Sequence, residues 1–475
     1  MAAASAVPRI AIAGAGVSGL GLAGILSKTL GDRVRVEVFE RGSRSRDQGY
    51  GLDLDEHGQE VLALAGVYHR YWDISYPRSD RFAAYGLRGS EPQLVAFRPR
   101  LLQRLWPQAF AARPETNRGG LREVLLEALA TRSNNTVHYD CGAFGIRELL
   151  SDEGGSKAEL TDESGAVLGE YDLVVDAMGL HSTLRTHRVE DQQGKHFSQQ
   201  MMIHGAFDDP EASFPPHLKR LIGNYGTVAA YGRGHLLTLQ RYGAGAEDRR
   251  MSLFYHTSEV AEEAHLFREM DLPQASSRGQ GILRDADSKR KVLTWVKRDM
   301  GKEWDSQWHD VVDLLDRVTV RGIHTHGDTS LRDGVSLPLV CIGDALRNCG
   351  IGGGGNLAMM DAKELATVLA QPEAFGSSGQ VNLGLLRSIE PAMLERKNDF
   401  NQKKEKNLRE NPIFQRDTSK NTQLELSDFV TDWKYKLVAP VAVAAFKGWH
   451  AWDELFGGAG STASSPTYPS VQKLL

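Results

Sequence analysis

Two glycine-rich segments carry residue types that could bind a large anionic cofactor. The first reads Gly14-Ala-Gly16-Val-Ser-Gly19, and the second contains four consecutive glycines at 352–355. An apolar stretch precedes each segment, and a helical pattern follows it. A glycine turn that opens a helix presents backbone N–H groups and the positive end of the helix dipole, which together favour phosphate oxygens. The spacing therefore predicts two anion-binding turns in one chain.

The first turn lies in a predicted strand–helix–strand unit. Residues 10–13 form a short apolar strand, residues 20–30 have helical spacing, and residues 34–39 form a second strand that ends at Glu40. An acidic residue about 20 positions after the glycines can accept hydrogen bonds from ribose hydroxyls. The unit is typical of a dinucleotide site, and its position near the N-terminus favours FAD over NAD(P).

Each glycine of the first turn has a predicted task. Gly14 permits the tight turn, Gly16 lets a pyrophosphate approach the backbone, and Gly19 lets the helix pack on the strand. Ser18 and Arg41, which adjoin the turn and the acidic residue, complete this half of the candidate site.

The second turn follows a buried strand at 339–342. Gly343 and Asp344 end that strand, and we expect the helix after the glycines to begin at Asn356. The candidate residues of this half are Asp344, Gly352, Gly354, Gly355 and Asn356.

Three arginines are further candidates for phosphate contacts. Arg118 precedes an amphipathic helix, where the helix dipole disfavours a cation unless an anion is bound nearby. Arg44 or Arg46 could reach a pyrophosphate, or both are solvated loop residues.

Composition sets the broad class of the protein. The 475 residues predict two or three domains, and 41% apolar with 25% charged residues is typical of a soluble globular protein. With a net charge of −5, the sequence has no excess of basic residues that would indicate nucleic-acid binding. The three cysteines form no CxxC pair and no metal-ligand spacing, so we expect free thiols, a reducing cytoplasmic location and no metal.

A change of pattern at 200–300 predicts short antiparallel strands with one solvated face. The side chains of a strand alternate between the two faces of the sheet. One face of one strand therefore carries Leu236, Thr238, Gln240 and Tyr242, and one face of the next strand carries Met251, Leu253 and Tyr255. These sets either line a pocket for a largely apolar, partly oxygenated molecule or form ordinary sheet core. The residues considered for a catalytic base are His204, Tyr255 and His256.

The C-terminal part has less specific patterns. Residues 382–410 are predicted to be helical, with a charged and mostly solvated face. Aromatic and apolar residues at 426–456 indicate either a docked helical element or a contact with a membrane surface. The Ser/Gly/Pro-rich residues after 457 predict disorder.

Four segments in this order resemble the FAD-dependent monooxygenases of the aromatic-hydroxylase type, which have the p-hydroxybenzoate hydroxylase fold. The first is the Gly14–Gly19 turn with Glu40, and the second is the helix start Arg118-Gly-Gly-Leu121. The third spans residues 175–185, where the family has an Asp-Gly motif, and the fourth spans residues 343–362, its second flavin motif.

The resemblance implies an α/β fold in which a Rossmann-like FAD-binding domain is interleaved with a mixed or antiparallel β-sheet substrate domain, followed by a C-terminal helical element. The implied FAD-binding domain comprises residues 1–75, 106–195 and 325–400. The substrate domain comprises 76–105 and 196–324, the C-terminal segment comprises 401–457, and the tail comprises 458–475.

The resemblance also implies roles for matched residues. Glu40 would hold the adenosine ribose, Arg118 the phosphate and ribityl region, and Asp344 the ribityl or pyrophosphate end. The 352–356 loop would lie against the isoalloxazine. FAD would bind noncovalently, NAD(P)H would reduce it, and O2 would form a C4a-hydroperoxyflavin that transfers one oxygen to a small, largely apolar or aromatic substrate.

Three departures from the family pattern keep alternatives open, one of which is that the stretch after Asp344 is about two residues short. Met178-Gly179 replaces the family's Asp-Gly pair, and Arg347 with Asn348 or Cys349 replaces its histidine and proline after Asp344. A flavin-dependent reductase of the geranylgeranyl-reductase type is one alternative, and an FAD-binding protein without turnover is another. The catalytic residues and the oligomeric state are not specified by the sequence.

Overall fold

Two large β-sheets organise the computed structural model of the chain. The structure describes residues 7–45, 51–76, 82–89, 91–92, 94–96, 114–150, 156–232, 234–243, 250–258, 260–272, 283, 285–350, 352–376 and 379–410. Arg46 and the interpretations of residues 411–475, including the membrane contact and the disordered tail, lie outside the described residues. Within them, no helix combines the length and the apolar character needed to cross a bilayer.

Nineteen strands are described, and their bounds are β1 Arg9–Ala13, β2 Arg35–Phe39, β3 Gly51–Asp53, β4 Phe82–Gly86, β5 Leu94–Ala96, β6 Glu115–Asn117, β7 Thr136–His138, β8 Gly145–Leu150, β9 Ser156–Thr161, β10 Val167–Tyr171, β11 Leu173–Asp176, β12 Val189–Asp191, β13 Lys195–Phe207, β14 Thr227–Gly232, β15 His235–Arg241, β16 Met251–Thr257, β17 Arg317–His326, β18 Thr329–Leu331 and β19 Leu339–Cys341.

The described α-helices are α1 Val17–Thr29, α2 Glu56–Leu64, α3 Arg118–Leu129, α4 Pro210–Ser213, α5 Pro216–Ile222, α6 Glu263–Glu269, α7 Ala286–Met300, α8 Ser306–Asp313, α9 Gly354–Leu369, α10 Leu383–Arg387 and α11 Glu390–Glu410. Short 3₁₀ turns connect several of them.

The first sheet has five parallel strands in the order β19-β11-β1-β2-β7. Its central strand β1 is buried on both faces. Ala11 and Ala13 pack on one side against the three-stranded sheet β10-β9-β8, and Ile10 and Ile12 belong to the main apolar core on the other side. Helices α1, α3 and α9 contribute to the same apolar core. The carboxyl ends of β1, β11 and β19 lead into the glycine turn, the Met178 turn and the Asp344 turn, so all three polar turns meet at one edge.

The second sheet has seven strands in the order β17-β13-β16-β15-β14-β4-β5. Its neighbouring strands are antiparallel except for β14 and β4, so the sheet is mixed. Strand β15 alternates buried and half-buried residues, and the buried ones pack in a core with α7 and α8. The α/β fold class and the predicted strands between residues 200 and 260 are therefore confirmed.

Two charged residues are exceptions in the segment 382–410, whose charged face was predicted to be mostly solvated. Glu390 and Lys397 on α11 are fully buried. Arg188 donates from Nη2 to Glu390 Oε2 over 2.7 Å, and Lys397 Nζ lies 3.1 Å from Asp361 Oδ2. The sequence pattern could not predict this burial, because each partner lies on a distant segment of the chain.

Candidate functional site

A cavity of about 2160 Å³ joins the polar edge of the parallel sheet to one face of the mixed sheet. Pockets for small ligands typically measure roughly 300–1000 Å³. The cavity therefore has room for a dinucleotide and for a second molecule beside it.

The glycines of the first turn divide into two kinds. Gly14 has φ +108°, and a Cβ there would lie 2.5 Å from Ala177 O; a Cβ on Gly19 would lie 2.0 Å from Gly14 O. Both positions therefore require glycine because a side chain would clash with neighbouring backbone atoms. A Cβ on Gly16 would meet no atom within 4 Å and would extend into open space. The fold therefore tolerates a side chain at position 16. A ligand that approaches the backbone there would require glycine at this position.

The wall around this turn is suited to an anion and to hydroxyl groups. No side chain caps the N-terminus of α1. Glu40 Oε1 accepts a hydrogen bond from Gly42 N (2.7 Å), and Oε2 accepts one from Ala15 N (3.1 Å). These bonds fix the carboxylate at the cavity wall, which Ser18 and Arg41 also line.

The second turn places a carboxylate beside another helix N-terminus. Helix α9 begins at Gly354, two residues before the predicted start, because Gly353 adopts a left-handed φ of +70° and forms the N-cap. Asp344 lines the cavity, and its Oδ1 is buried without a hydrogen-bond partner in the described part of the chain. Burial raises the pKa of Asp344, which a hydrogen-bonding ligand would reverse.

Of the predicted cofactor-binding residues, all but Gly19 and Asn356 line this one cavity. Arg118 is the first residue of α3, and Asn117 caps that helix by accepting from Gly120 N (3.0 Å). Asn356 instead accepts a hydrogen bond from Asp55 N and donates one to Asp53 O, so its amide fixes the segment after β3. Arg44 forms an exposed pair with Glu123 and does not line the cavity.

One face of the mixed sheet forms the other wall. Strand β15 contributes Leu236, Thr238 and Gln240, as one of the two interpretations predicted, and Tyr242 follows them. Its neighbours contribute Gln200, Met202, His204, Phe254 and His256. This wall combines apolar and aromatic side chains with amide, hydroxyl and imidazole groups, which suits an apolar molecule that carries oxygen atoms.

The second predicted set does not line the cavity. Met251, Leu253 and Tyr255 lie on the opposite face of β16, in the core with α7 and α8. Tyr255 OH is buried and donates to Asp299 Oδ2 over 2.8 Å. Of the three residues considered for a catalytic base, His204 and His256 are therefore at the cavity and Tyr255 is not.

The turn at 177–181 lines the cavity, whereas Asp176, which precedes the turn, does not. Asp176 is fully buried, accepts hydrogen bonds from Ser182 Oγ (2.5 Å) and Met178 N (3.1 Å), and thereby holds the turn in place. Burial raises the pKa of Asp176 to about 6. Asp176 therefore does not line the cavity and supports the turn from behind it.

Sequence reasoning missed two ionisable features of the site. The first is Lys404, which lines the cavity from α11. The second is a pair of carboxyl groups: Asp53 lines the cavity, and the buried Glu115 is its cross-strand neighbour in β6. Glu115 accepts a hydrogen bond from Thr227 Oγ1 over 3.0 Å. Burial, followed by the charge of Asp53, raises the pKa of Glu115 to about 8. Both features depend on contacts between distant segments, for which the sequence contains no local signal.

This raised pKa predicts a pH-dependent stability. Between an ordinary pKa of 4.5 and about 8 the folded state keeps the Glu115 proton while the unfolded state loses it, so the free energy of unfolding falls as the pH rises. Glu115→Gln should flatten this slope and stabilise the protein at pH 8, by on the order of 3 kcal/mol. Urea unfolding across this pH range measures the effect, and identical slopes in both proteins would contradict it.

Comparisons with known proteins bear on the fold. No family model and no curated protein matches the sequence. Solved structures do match: 2,6-dihydroxypyridine-3-hydroxylase from Arthrobacter nicotinovorans is 18% identical with a TM-score of 0.63, covering 89% of this chain and 100% of that chain. HpxO of Klebsiella pneumoniae, complexed with FAD and uric acid, is 18% identical with a TM-score of 0.59, covering 83% and 86%.

CtdE, in complex with FAD and substrate 4, is 12% identical with a TM-score of 0.61, covering 93% of this chain and 100% of that chain. Likeness at these identities establishes the fold. The chain has the p-hydroxybenzoate hydroxylase-like fold of these proteins, as its four motif segments predicted.

Proposed function

We propose that the protein is an FAD-dependent monooxygenase that inserts one oxygen atom of O2 into a small, largely apolar or aromatic molecule, with NAD(P)H as the reductant. One observation carries this proposal: a single cavity is lined both by two helix N-termini without side-chain caps and by an amphipathic sheet face. The structures of HpxO with FAD and uric acid, and of CtdE with FAD and substrate 4, support the pairing of cofactor and small molecule.

The residues present fit FAD. Gly16 and Gly352 leave open space where any side chain would extend into the cavity. The fixed carboxylate of Glu40 suits ribose hydroxyls, and the two helix N-termini suit the pyrophosphate. Asp344 Oδ1, which has no partner among the described residues, suits a hydroxyl donor of the ribityl chain.

When bound, FAD supplies the redox chemistry, accepting a hydride from NAD(P)H and activating O2. The chain supplies binding and orientation. Met202, Leu236 and Phe254 exclude water from the sheet side of the cavity, and Thr238 and Gln240 offer hydrogen bonds that orient the substrate.

A substrate screen tests the reaction by following NAD(P)H loss, oxygen uptake and product mass together. The proposal expects substrate to accelerate NAD(P)H oxidation, with one O2 consumed and one oxygen atom gained by the product. Anaerobic reduction of a substrate double bond, with no oxygen uptake, would instead establish the reductase alternative. Flavin binding without any turnover would establish the non-catalytic alternative.

Replacing Asp344 by alanine is expected to weaken FAD binding about 10- to 100-fold, because a hydrogen bond to a charged group contributes roughly 1.5–3 kcal/mol. The apoprotein should keep its stability, since the variant removes a carboxylate whose charged form is disfavoured by burial. Fluorescence titration of the apoprotein with FAD and thermal unfolding measure the two effects. Asp333→Ala, at an exposed position of the same segment, is the matched control; equal FAD affinity in both variants would remove Asp344 from the site.

A further inference from the structure

Helix α11 delivers an ammonium group to the cavity wall. Lys404 Nζ donates a hydrogen bond to Cys349 O over 2.5 Å, and a Cβ on Gly350 would lie 2.6 Å from the same nitrogen. The ammonium group therefore contacts the backbone at residues 349–350, directly before the glycine loop. Lys404 and the loop line the same cavity.

Lys404 forms no ion pair within the described residues. No carboxylate there lies within ion-pair distance of its Nζ, whereas Lys397, seven residues earlier on α11, is paired with Asp361 at 3.1 Å. Burial lowers the pKa of Lys404, although the negative charges of Cys349, Glu405 and Asp344 oppose that shift from beyond ion-pair distance. A partly buried cation without a counter-ion is unfavourable, and an anion in the cavity would relieve that cost.

A second polar group of the same cavity also lacks a partner. His256 is 7% exposed, and its Nδ1 is buried without a hydrogen bond in the described part of the chain. Burial, and then the charge of Lys404, lower the pKa of His256 to about 4. The imidazole is therefore neutral near pH 7, where it is a weak base but a competent N–H donor.

Apolar groups flank this pair. Met202 and Leu236 are the cross-strand neighbours of His256 in β13 and β15, and both line the cavity. A ligand whose oxygen reaches Lys404 and His256 can therefore place an apolar body against these two side chains.

We propose that Lys404 and His256 form a subsite for a carboxylate group of the substrate. The ammonium group neutralises the charge, the imidazole donates a hydrogen bond, and Met202 and Leu236 contact the apolar remainder. The subsite rests on the proposed function, because it assigns this part of the cavity to substrate and the helix N-termini to FAD.

Binding of benzoate and 1-naphthoate, compared with their neutral amides, tests the subsite in the FAD-loaded protein without reductant. Perturbation of the flavin absorbance reports binding, and calorimetry measures the dissociation constants. We expect each carboxylate to bind at least tenfold more tightly than its amide. Lys404→Met should abolish that preference, and His256→Phe should reduce it severalfold. Lys403→Met, at an exposed neighbour on α11, should retain it.

Three results would overturn the subsite. The first is equal binding of carboxylates and amides by the unmodified protein, or no carboxylate binding at millimolar concentration. The second is an unchanged preference in Lys404→Met. The third is a loss of FAD affinity in Lys404→Met as large as the loss of carboxylate affinity, which would show that the cofactor provides the anion. A protein that binds no FAD would contradict the proposed function and not the subsite, so the experiment distinguishes the two outcomes.

Discussion

Replacing Gly16 by valine is expected to abolish FAD binding and leave the apoprotein folded. A Cβ at Gly16 meets no protein atom within 4 Å, and the residue has an ordinary φ of −78°, so the fold tolerates a side chain there. That side chain would occupy the space at the N-terminus of α1 where the pyrophosphate is expected. Absorbance of the purified protein and FAD titration measure the loss, which should exceed a hundredfold.

Gly19→Ala provides the opposite outcome at a glycine of the same motif. Its Cβ would lie 2.0 Å from Gly14 O, so this smaller change should destabilise the fold by roughly 3 kcal/mol or more. Thermal unfolding of the two apoproteins separates a ligand-binding defect from a packing defect. A Gly16→Val protein that binds FAD normally would contradict the placement of the pyrophosphate.

Removing the buried carboxylate of Asp361 is expected to destabilise the protein by about 3–5 kcal/mol. Its Oδ2 accepts a hydrogen bond from Gly343 N (2.8 Å) and lies 3.1 Å from Lys397 Nζ. Asp361→Ala would leave the fully buried Lys397 without its counter-ion and the turn before Asp344 without an acceptor. Urea unfolding measures the change in the free energy of unfolding.

The double variant Asp361→Ala/Lys397→Met isolates the charge effect. Arg396, the other cation that contacts Asp361, keeps its contacts with Glu364. Removing both members of the buried pair should therefore recover a large part of the lost stability. A double variant as unstable as Asp361→Ala alone would show that the hydrogen bond to Gly343, and not the charge, dominates.

Local patterns were sufficient to predict the parallel sheet edge. The strands before Gly14 and Asp344 each show a short apolar run that ends at a polar turn, and parallel pairing of both with β11 brings those ends to one edge. Alternation along β15 likewise predicted which residues share a face. Alternation could not determine which face meets the cavity, and for this reason both interpretations stayed open for the Met251, Leu253 and Tyr255 set, which lies in the core.

Long-range charge pairing could not be predicted. Lys397 and Lys404 belong to a strongly charged helical segment, in which nothing local separates a solvated lysine from a buried one. Their environments depend on Asp361 and Cys349, which lie far away in the chain. The division into an interleaved FAD-binding domain and substrate domain, and the individual roles of the cofactor-binding residues, remain predictions.

Identification of the bound cofactor is the most direct test of FAD binding by this protein. The chromophore released by denaturing the purified protein should be FAD by mass, in near-equimolar amount, and the apoprotein should rebind FAD with a rise in its unfolding temperature. A colourless protein that FAD neither binds nor stabilises would contradict the account.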